Sequence, residues 1–189
     1  GAGDEVTFAG KRLASPDRIY LVLNKPAGVI TAVSDRRGAK TVMALLPAPY
    51  QELFPVGRLD RDSRGLLLFT NDGDFAQEFL HPRFGVPRRY RVRLDKTPDL
   101  ARVKKPVELE DGVSTFDAVN AVSGEERSVE VVLGQGRKRQ IRRAFRALGY
   151  RVVDLVRTQM GDIKLGDLPE GAHRLLSADE VRRAKRKRA

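Results

Sequence analysis

Apolar positions along this chain fall mostly into short runs with the spacing of strands. Continuous apolar runs at 19–23, 66–70 and 150–156 predict strands that are buried on both faces. Regular alternation of apolar and polar side chains at 88–94 and 128–133 predicts strands with one face in the core. Strands therefore dominate the predicted secondary structure.

Helical spacing is limited to a few short segments. Apolar residues three or four positions apart predict helices at 41–46, 75–80 and 140–148, and a capping box beginning at Ser177 predicts a last one. An Asp-Gly pair at 111–112 predicts a hairpin turn. Because strands and helices do not alternate regularly, we predict an α+β fold, a mostly antiparallel mixed sheet with flanking helices and a central cleft.

Composition restricts the classes of function. Lysine and arginine outnumber aspartate and glutamate by 36 to 25, a formal net charge of +11, which favours a polyanionic partner such as nucleic acid. No apolar run reaches the length of a membrane span, so we expect a cytoplasmic protein with no membrane partner. The absence of cysteine excludes disulfides and thiolate metal sites. With two separated histidines and no acidic cluster, we predict no metal site.

The most distinctive stretch is 57–64, in which three arginines and two aspartates directly precede a predicted buried strand. Asp62 suits the first position of a turn that ends at Gly65. Asp60 has no such turn position and lies between two arginines, whose positive charge favours an ionised carboxylate. On this pattern alone, Asp60 is more simply interpreted as a loop-bracing carboxylate than as a catalytic one.

The whole string from Gly57 to Leu68 resembles the signature loop of pseudouridine synthases, in particular the RsuA/RluB-type enzymes that act on ribosomal RNA. Their pattern is G-R-L-D-x-x-T-x-G-L-L-L, and this chain carries Ser63 where threonine is usual. The resemblance implies that Asp60 is the catalytic carboxylate of a uridine isomerisation that uses no cofactor. It extends from about residue 20 to residue 180.

Two further segments resemble the other motifs of this family. Segment 89–92 is similar to the second motif, whose tyrosine stacks on the target base, so the resemblance implies that role for Tyr90; packing in the core is compatible with it. Segment 136–143 is similar to the third motif, in which the arginine after Gln-Ile pairs with the catalytic aspartate. The resemblance thus makes Arg142 the partner of that aspartate and Ile141 a wall of the base pocket.

The resemblance also implies contacts with RNA. Arg58 is expected to fill the space that a flipped nucleotide leaves. The other basic residues expected to contact RNA are Arg61, Arg89, Arg137, Lys138, Arg139 and Arg143. The expected substrate is a structured stem-loop of ribosomal RNA, in 23S rather than 16S, bound by a monomer.

Three regions are expected along the chain. Residues 1–14 are interpreted as a linker or the remnant of an N-terminal S4-like RNA-binding module, and 15–181 as the catalytic domain. Residues 182–189 are predicted to form a basic tail, which is either solvated or in contact with RNA.

Two other classes of function stay open. A non-catalytic RNA-binding or ribosome-assembly protein would account for the charge, but it leaves the Asp60 loop without a purpose. A carboxylate-dependent glycoside or nucleoside hydrolase would account for Asp60. Such a hydrolase needs a second catalytic carboxylate, and none stands out in the sequence.

Overall fold

A computed structural model describes residues 7–8, 11–12, 17–134 and 136–186 of the chain. Its strands are β1 (Thr7–Phe8), β2 (Lys11–Arg12), β3 (Tyr20–Lys25), β4 (Phe54–Val56), β5 (Arg64–Thr70), β6 (Arg88–Leu94), β7 (Val107–Leu109), β8 (Gly112–Ser114), β9 (Ala118–Ala121), β10 (Ser128–Leu133), β11 (Val152–Met160), β12 (Ile163–Lys164) and β13 (His173–Leu175). Its α-helices are α1 (Gly73–Leu80), α2 (Leu100–Val103), α3 (Gln140–Ala147) and α4 (Ala178–Arg186). Short 3-10 helices are formed by Val42–Leu45, Ala48–Tyr50 and Pro82–Phe84.

A nine-stranded mixed sheet organises the described part of the chain. Its main path runs β13-β3-β5-β11-β6-β10-β9, with β12 paired to β11 and β4 to β5. The neighbours in this sheet are antiparallel except β5 and β11, which run parallel. The predicted α+β class, with a mostly antiparallel mixed sheet and flanking helices, is confirmed.

Strand β5 lies at the centre of the core and explains the long apolar run in the sequence. Leu67 and Phe69 point into one apolar cluster, which also contains Phe145 of α3. Leu66 and Leu68 point into a second cluster on the other face of the sheet, against α1. Since successive side chains of a strand alternate between faces, a strand buried on both faces needs apolar residues at every position.

The capping box predicted at the start of the last helix, α4, is confirmed. Glu180 N donates to Ser177 Oγ at 3.2 Å, and Ser177 N donates to Glu180 Oε2 at 2.9 Å. These two bonds are the reciprocal pair of a capping box. The predicted helix at 41–46 is shorter and tighter, a 3-10 helix over Val42–Leu45.

The turn that leads into β5 differs from the predicted one. Ser63 N donates to Asp60 O at 3.0 Å, so Asp60, rather than Asp62, takes the first turn position. Gly65 lies inside β5 with φ +102, where an added Cβ would be 2.4 Å from the backbone oxygen of Arg157. A glycine is required there because β5 and β11 approach too closely for a side chain.

The expectations for the two ends of the chain fall partly outside the described residues. Of 1–14, only β1 and β2 are described, and they pair as an antiparallel ribbon. Residues 182–186 belong to α4 rather than to a tail, and 187–189 lie outside the described residues. The helix is held by Lys185, whose Nζ donates to Tyr20 Oη at 2.9 Å and to Asp72 Oδ2 at 3.2 Å. The buried carboxylate of Asp72 thus anchors the last helix, where the run of basic residues had predicted a tail.

Among the strands that the sequence did not predict are β4, β9 and β13, each of which has only three or four residues. No helix in the described ranges has the length and apolar character needed to cross a bilayer.

Candidate active site

A cavity of about 640 Å³ opens beside the start of β5. Apolar side chains from several elements form part of its wall: Leu59, Val86, Leu133, Ile141, Leu155 and Met160. Polar side chains on the wall include Asp60, Ser63, Arg88, Tyr90, Arg142 and Arg157. The volume lies within the range typical of small-molecule sites, about 300–1,000 Å³, and apolar walls with a few convergent charges are typical of them as well.

Asp60, which the family resemblance makes the catalytic carboxylate, lines this cavity. Its side chain is 33% exposed, and its Oδ2 lies 3.7 Å from Nη1 of Arg139. The hydrogen-bonded turn that begins at Asp60 fixes the backbone beneath it. The carboxylate is therefore accessible from the cavity and faces a cation.

Arg139 makes its strongest contact with the other aspartate of the loop. Its two terminal nitrogens donate to the two carboxylate oxygens of Asp62 at 2.8 and 2.9 Å, and these bonds hold the pKa of Asp62 below its usual range. Arg139 immediately precedes α3 and has a left-handed backbone with φ 51. A non-glycine residue is strained in that conformation, so the fold accepts strain to direct this side chain over the loop.

The predicted ion pair between Arg142 and Asp60 is not formed. Nη2 of Arg142 instead donates to the backbone oxygen of Asp62 at 2.8 Å, and its Nη1 to that of Val152 at 3.3 Å. Its Nε lies 3.4 Å from a carboxylate oxygen of Asp62. Arg142 lies in the first turn of α3, close to the start of β11. Its guanidinium therefore reaches Asp62, near the end of the turn that begins at Asp60. Arg142 therefore holds the loop, and Arg139 faces Asp60.

Tyr90 and Ile141 both line the cavity. Tyr90 lies on the buried face of β6 and is 8% exposed, and Ile141 lies in the first turn of α3 and is 4% exposed. A side chain that is mostly in the core presents one surface to the cavity and is held rigidly by its neighbours. The core and site roles of Tyr90 are thus compatible.

The basic residues expected to contact RNA divide into two groups. Those that line the cavity are Arg58, Arg137, Lys138 and Arg139. Arg137 is already engaged, because its guanidinium donates to the carbonyl oxygens of Asp111, Gly112 and Val113 in the β7–β8 hairpin.

The remaining three do not line the cavity. Nε of Arg61 donates to Gly28 O at 3.2 Å. Arg89 forms an ion pair with Glu130. Arg143 forms one with Asp111 at 2.7 Å. Alternation on β6 and the helical period of α3 direct the last two side chains away from Tyr90 and Ile141.

Lys25 is a site residue to which the sequence analysis assigned no role. Its side chain is fully buried, and its Nζ donates to the backbone oxygens of Ser63 at 2.7 Å and Pro26 at 2.9 Å. Burial lowers the pKa of Lys25 to about 8. The signal in the sequence was a lysine at the end of a buried strand, a position usually interpreted as a solvated turn. In the structure, Lys25 binds the backbone at Ser63, where the turn that begins at Asp60 ends.

Arg157 is a second buried cation behind the same loop. It is 2% exposed, and its Nε donates to Leu66 O at 2.8 Å while Nη1 lies 3.4 Å from Arg58 O. These carbonyls stand on either side of Asp60 in the chain. Lys25 and Arg157 therefore fix the backbone that presents the carboxylate. Among the described residues, no three acidic or histidine side chains converge as metal ligands do.

The chain is similar in sequence to known proteins. The sequence pattern of the RNA pseudouridylate synthase family matches residues 19–147. Ribosomal large subunit pseudouridine synthase B of Bacillus subtilis is 32% identical over 187 residues, which cover 95% of this chain and 77% of that protein. An uncharacterized RNA pseudouridine synthase of Mycobacterium leprae is 40% identical over 173 residues, 87% of this chain and 67% of that protein.

The fold is similar as well. A crystal structure of a pseudouridylate synthase superposes with a TM-score of 0.80 at 28% sequence identity, covering 95% of this chain and 80% of that one. Sequence pattern, relatives and fold therefore agree over most of the described chain. The chain belongs to the RNA pseudouridylate synthase family.

Proposed function

We propose that this protein converts a uridine of ribosomal RNA to pseudouridine, with Asp60 as the catalytic carboxylate and without a cofactor. The observation that carries the proposal is the position of Asp60 on the wall of a cavity that Tyr90 and Ile141 also line. A carboxylate, an aromatic side chain and an apolar wall thus surround a space of nucleotide size. The similarity to a ribosomal large subunit synthase supports ribosomal RNA, and 23S rather than 16S, as the substrate.

The reaction breaks the bond between uracil N1 and ribose C1′ and forms a bond between C5 and C1′. N1 gains a proton, and C5 loses one to solvent, so no oxidant or reductant takes part. The step at the sugar requires an ionised carboxylate close to the ribose, which either attacks C1′ or removes the proton on C2′. Asp60 supplies that group, and the backbone anchors on Lys25 and Arg157 hold it in place.

The detached uracil has to be held while it turns. Tyr90 offers an aromatic face, and stacking of a base on such a face contributes about 1–3 kcal/mol. Ile141 and Leu155 provide apolar walls beside it. These side chains retain the base without hydrogen bonds that would fix one orientation.

The target nucleotide has to leave its helical stack before it can reach Asp60. Arg58 is exposed and lines the cavity, so it is placed to occupy the space that the nucleotide leaves. Lys138 and Arg139 supply positive charge at the same cavity. With a formal net charge of +11, phosphate contacts dominate affinity, and a folded stem-loop provides selectivity.

The hydrolase alternative requires a second carboxylate with a raised pKa to act as general acid. The nearest candidate, Asp62, has the opposite property, because Arg139 lowers its pKa. A purely RNA-binding protein would have no need for two buried cations that fix the backbone of an aspartate loop. Both alternatives are therefore less well supported than isomerisation.

The test is to treat unmodified 16S and 23S rRNA and a tRNA pool with the purified protein and map pseudouridine at single-nucleotide resolution. We expect one or a few modified uridines in 23S rRNA, within a stem-loop, and none in untreated RNA. A protein that modifies only tRNA or only 16S rRNA would contradict the proposed substrate, and a protein that modifies nothing would contradict the proposed activity.

A further inference from the structure

A short segment at the end of α1 lines the cavity but has no part in the proposed chemistry. It consists of Leu80, His81 and Pro82. Leu80 is 43% exposed, and His81 and Pro82 are exposed as well. The side chain of Leu80 and the rings of His81 and Pro82 are thus exposed to solvent at the rim of a basic cavity.

The imidazole of His81 is held in place. Its Nδ1 accepts a hydrogen bond from the backbone N–H of Arg83 at 3.1 Å, and its ring meets that of Phe84 edge to face, with centroids 6.2 Å apart. The guanidinium of Arg83 lies 4.4 Å from the centroid of the Phe84 ring. The imidazole is therefore presented in one orientation.

Arg88 joins this segment to the basic loop before α3. Its Nη2 donates to Phe79 O at 3.0 Å and its Nη1 to Gly134 O at 3.1 Å. Burial lowers the pKa of Arg88, a consequence of its position between the two elements. The exposed rings and the loop that carries Lys138 and Arg139 thus have a fixed spacing.

We propose that His81, with Leu80 and Pro82 beside it, is a stacking surface for the RNA base next to the flipped uridine. This inference rests on the proposed function. A nucleotide that leaves its stack exposes the faces of its neighbours, and an aromatic ring accepts the face of any base. Of the aromatic rings that line the cavity within the described residues, Tyr90 is buried and His81 is exposed. The positive charge of the rim suits RNA as the occupant.

The test uses the ribosomal RNA stem-loop that the protein binds most tightly, whether or not it is modified. 2-Aminopurine is placed in turn at each loop position, because its fluorescence falls when the base stacks. With the wild-type protein and with His81→Phe, we expect quenching on binding at one loop position besides that of the flipped uridine, whose base stacks on Tyr90. With His81→Ala, that quenching is lost, and the Kd rises about 5-fold or more. His173→Ala, which removes the other histidine, is the matched control and leaves both readouts unchanged.

A second measurement does not depend on the variants folding. An RNA that lacks the quenched base should bind wild-type protein about as weakly as intact RNA binds His81→Ala. Equal binding of the intact and abasic RNAs would overturn the stacking surface. Equal losses of quenching and affinity in His81→Ala and His81→Phe would also overturn it, because both variants lack the imidazole N–H but only His81→Ala lacks an aromatic ring. Quenching in an RNA that is not modified would support the surface while contradicting the proposed function.

Discussion

One nitrogen of Arg139, Nη1, lies 2.8 Å from a carboxylate oxygen of Asp62 and 3.7 Å from one of Asp60. Two aspartates of the same loop thus share a cation that comes from the start of α3. The positive charge of Arg139 therefore also acts on Asp60. The two hydrogen bonds from Arg139 to Asp62 set the distance between the loop and α3. The geometry around the carboxylate therefore depends on Arg139 more than on Arg142.

Replacing Arg139 should lower the rate of isomerisation more than RNA affinity. We expect Arg139→Met to reduce the single-turnover rate at least about 10-fold, the size expected for losing a hydrogen bond to a charged group. Arg143→Met is the control, because Arg143 pairs with Asp111 away from the cavity. Equal losses of rate in the two variants would show that the effect is not specific to Arg139.

Arg142→Met should also lower the rate with little loss of affinity, for a different reason. Arg142 donates to the backbone oxygens of Asp62 and Val152, so its loss loosens the turn behind Asp60. RNA affinity is shared among many basic residues and changes little. Single-turnover rates and Kd measured on the same RNA check this, and an affinity that falls as steeply as the rate would make Arg142 a phosphate contact.

Lys25 should make stability depend on pH in the alkaline range. Its pKa is about 8 in the folded protein against an ordinary value of 10.5, so between these values the unfolded chain binds more protons. Its contribution to the free energy of unfolding is therefore constant below about pH 8 and rises with pH up to about 10.5, by up to about 3 kcal/mol. Urea unfolding from pH 7 to 10.5 should show this rise in wild type relative to Lys25→Met. A constant difference between the two proteins would contradict it.

Two glycines with positive φ should respond differently to alanine. In Gly65→Ala the new Cβ would be 2.4 Å from the backbone of Arg157, so β5 and β11 must separate, and we expect a loss of about 4 kcal/mol or more. At Gly124, with φ +74, nothing lies within 4 Å of the added atom, and backbone strain alone costs about 1 kcal/mol. Chemical unfolding of both variants measures the two losses, which should not be equal.

The motif residues were predictable from the sequence, and their partners were not. Asp60, Tyr90 and Ile141 belong to segments with a recognisable pattern, and the alternation on β6 gave the face on which Tyr90 lies. Which arginine reaches Asp60 depends on the residue at which α3 begins and on the left-handed backbone of Arg139. Nothing in the local pattern indicates that conformation.

Two cations were missed for a related reason. Lys25 and Arg157 are buried against the usual behaviour of charged side chains, and each donates to a backbone carbonyl of a segment far away in sequence. The turn before β5 was misplaced because Gly65 was assigned to the turn. Its actual role is set by the approach of β11, which pairs with β5 from the other end of the chain.

The most direct test of the central claim measures tritium released from ribosomal RNA that carries uridine labelled at C5. Wild-type protein should release tritium up to a fixed number of sites per RNA, because C5 loses its proton when it bonds to C1′. Asp60→Asn keeps the shape but loses the ionisable oxygen, so we expect normal folding, unchanged RNA affinity and no release. Asp62→Asn, with the same change two residues away, should retain measurable release. Release by Asp60→Asn near the wild-type rate would contradict the assignment of Asp60 as the catalytic carboxylate.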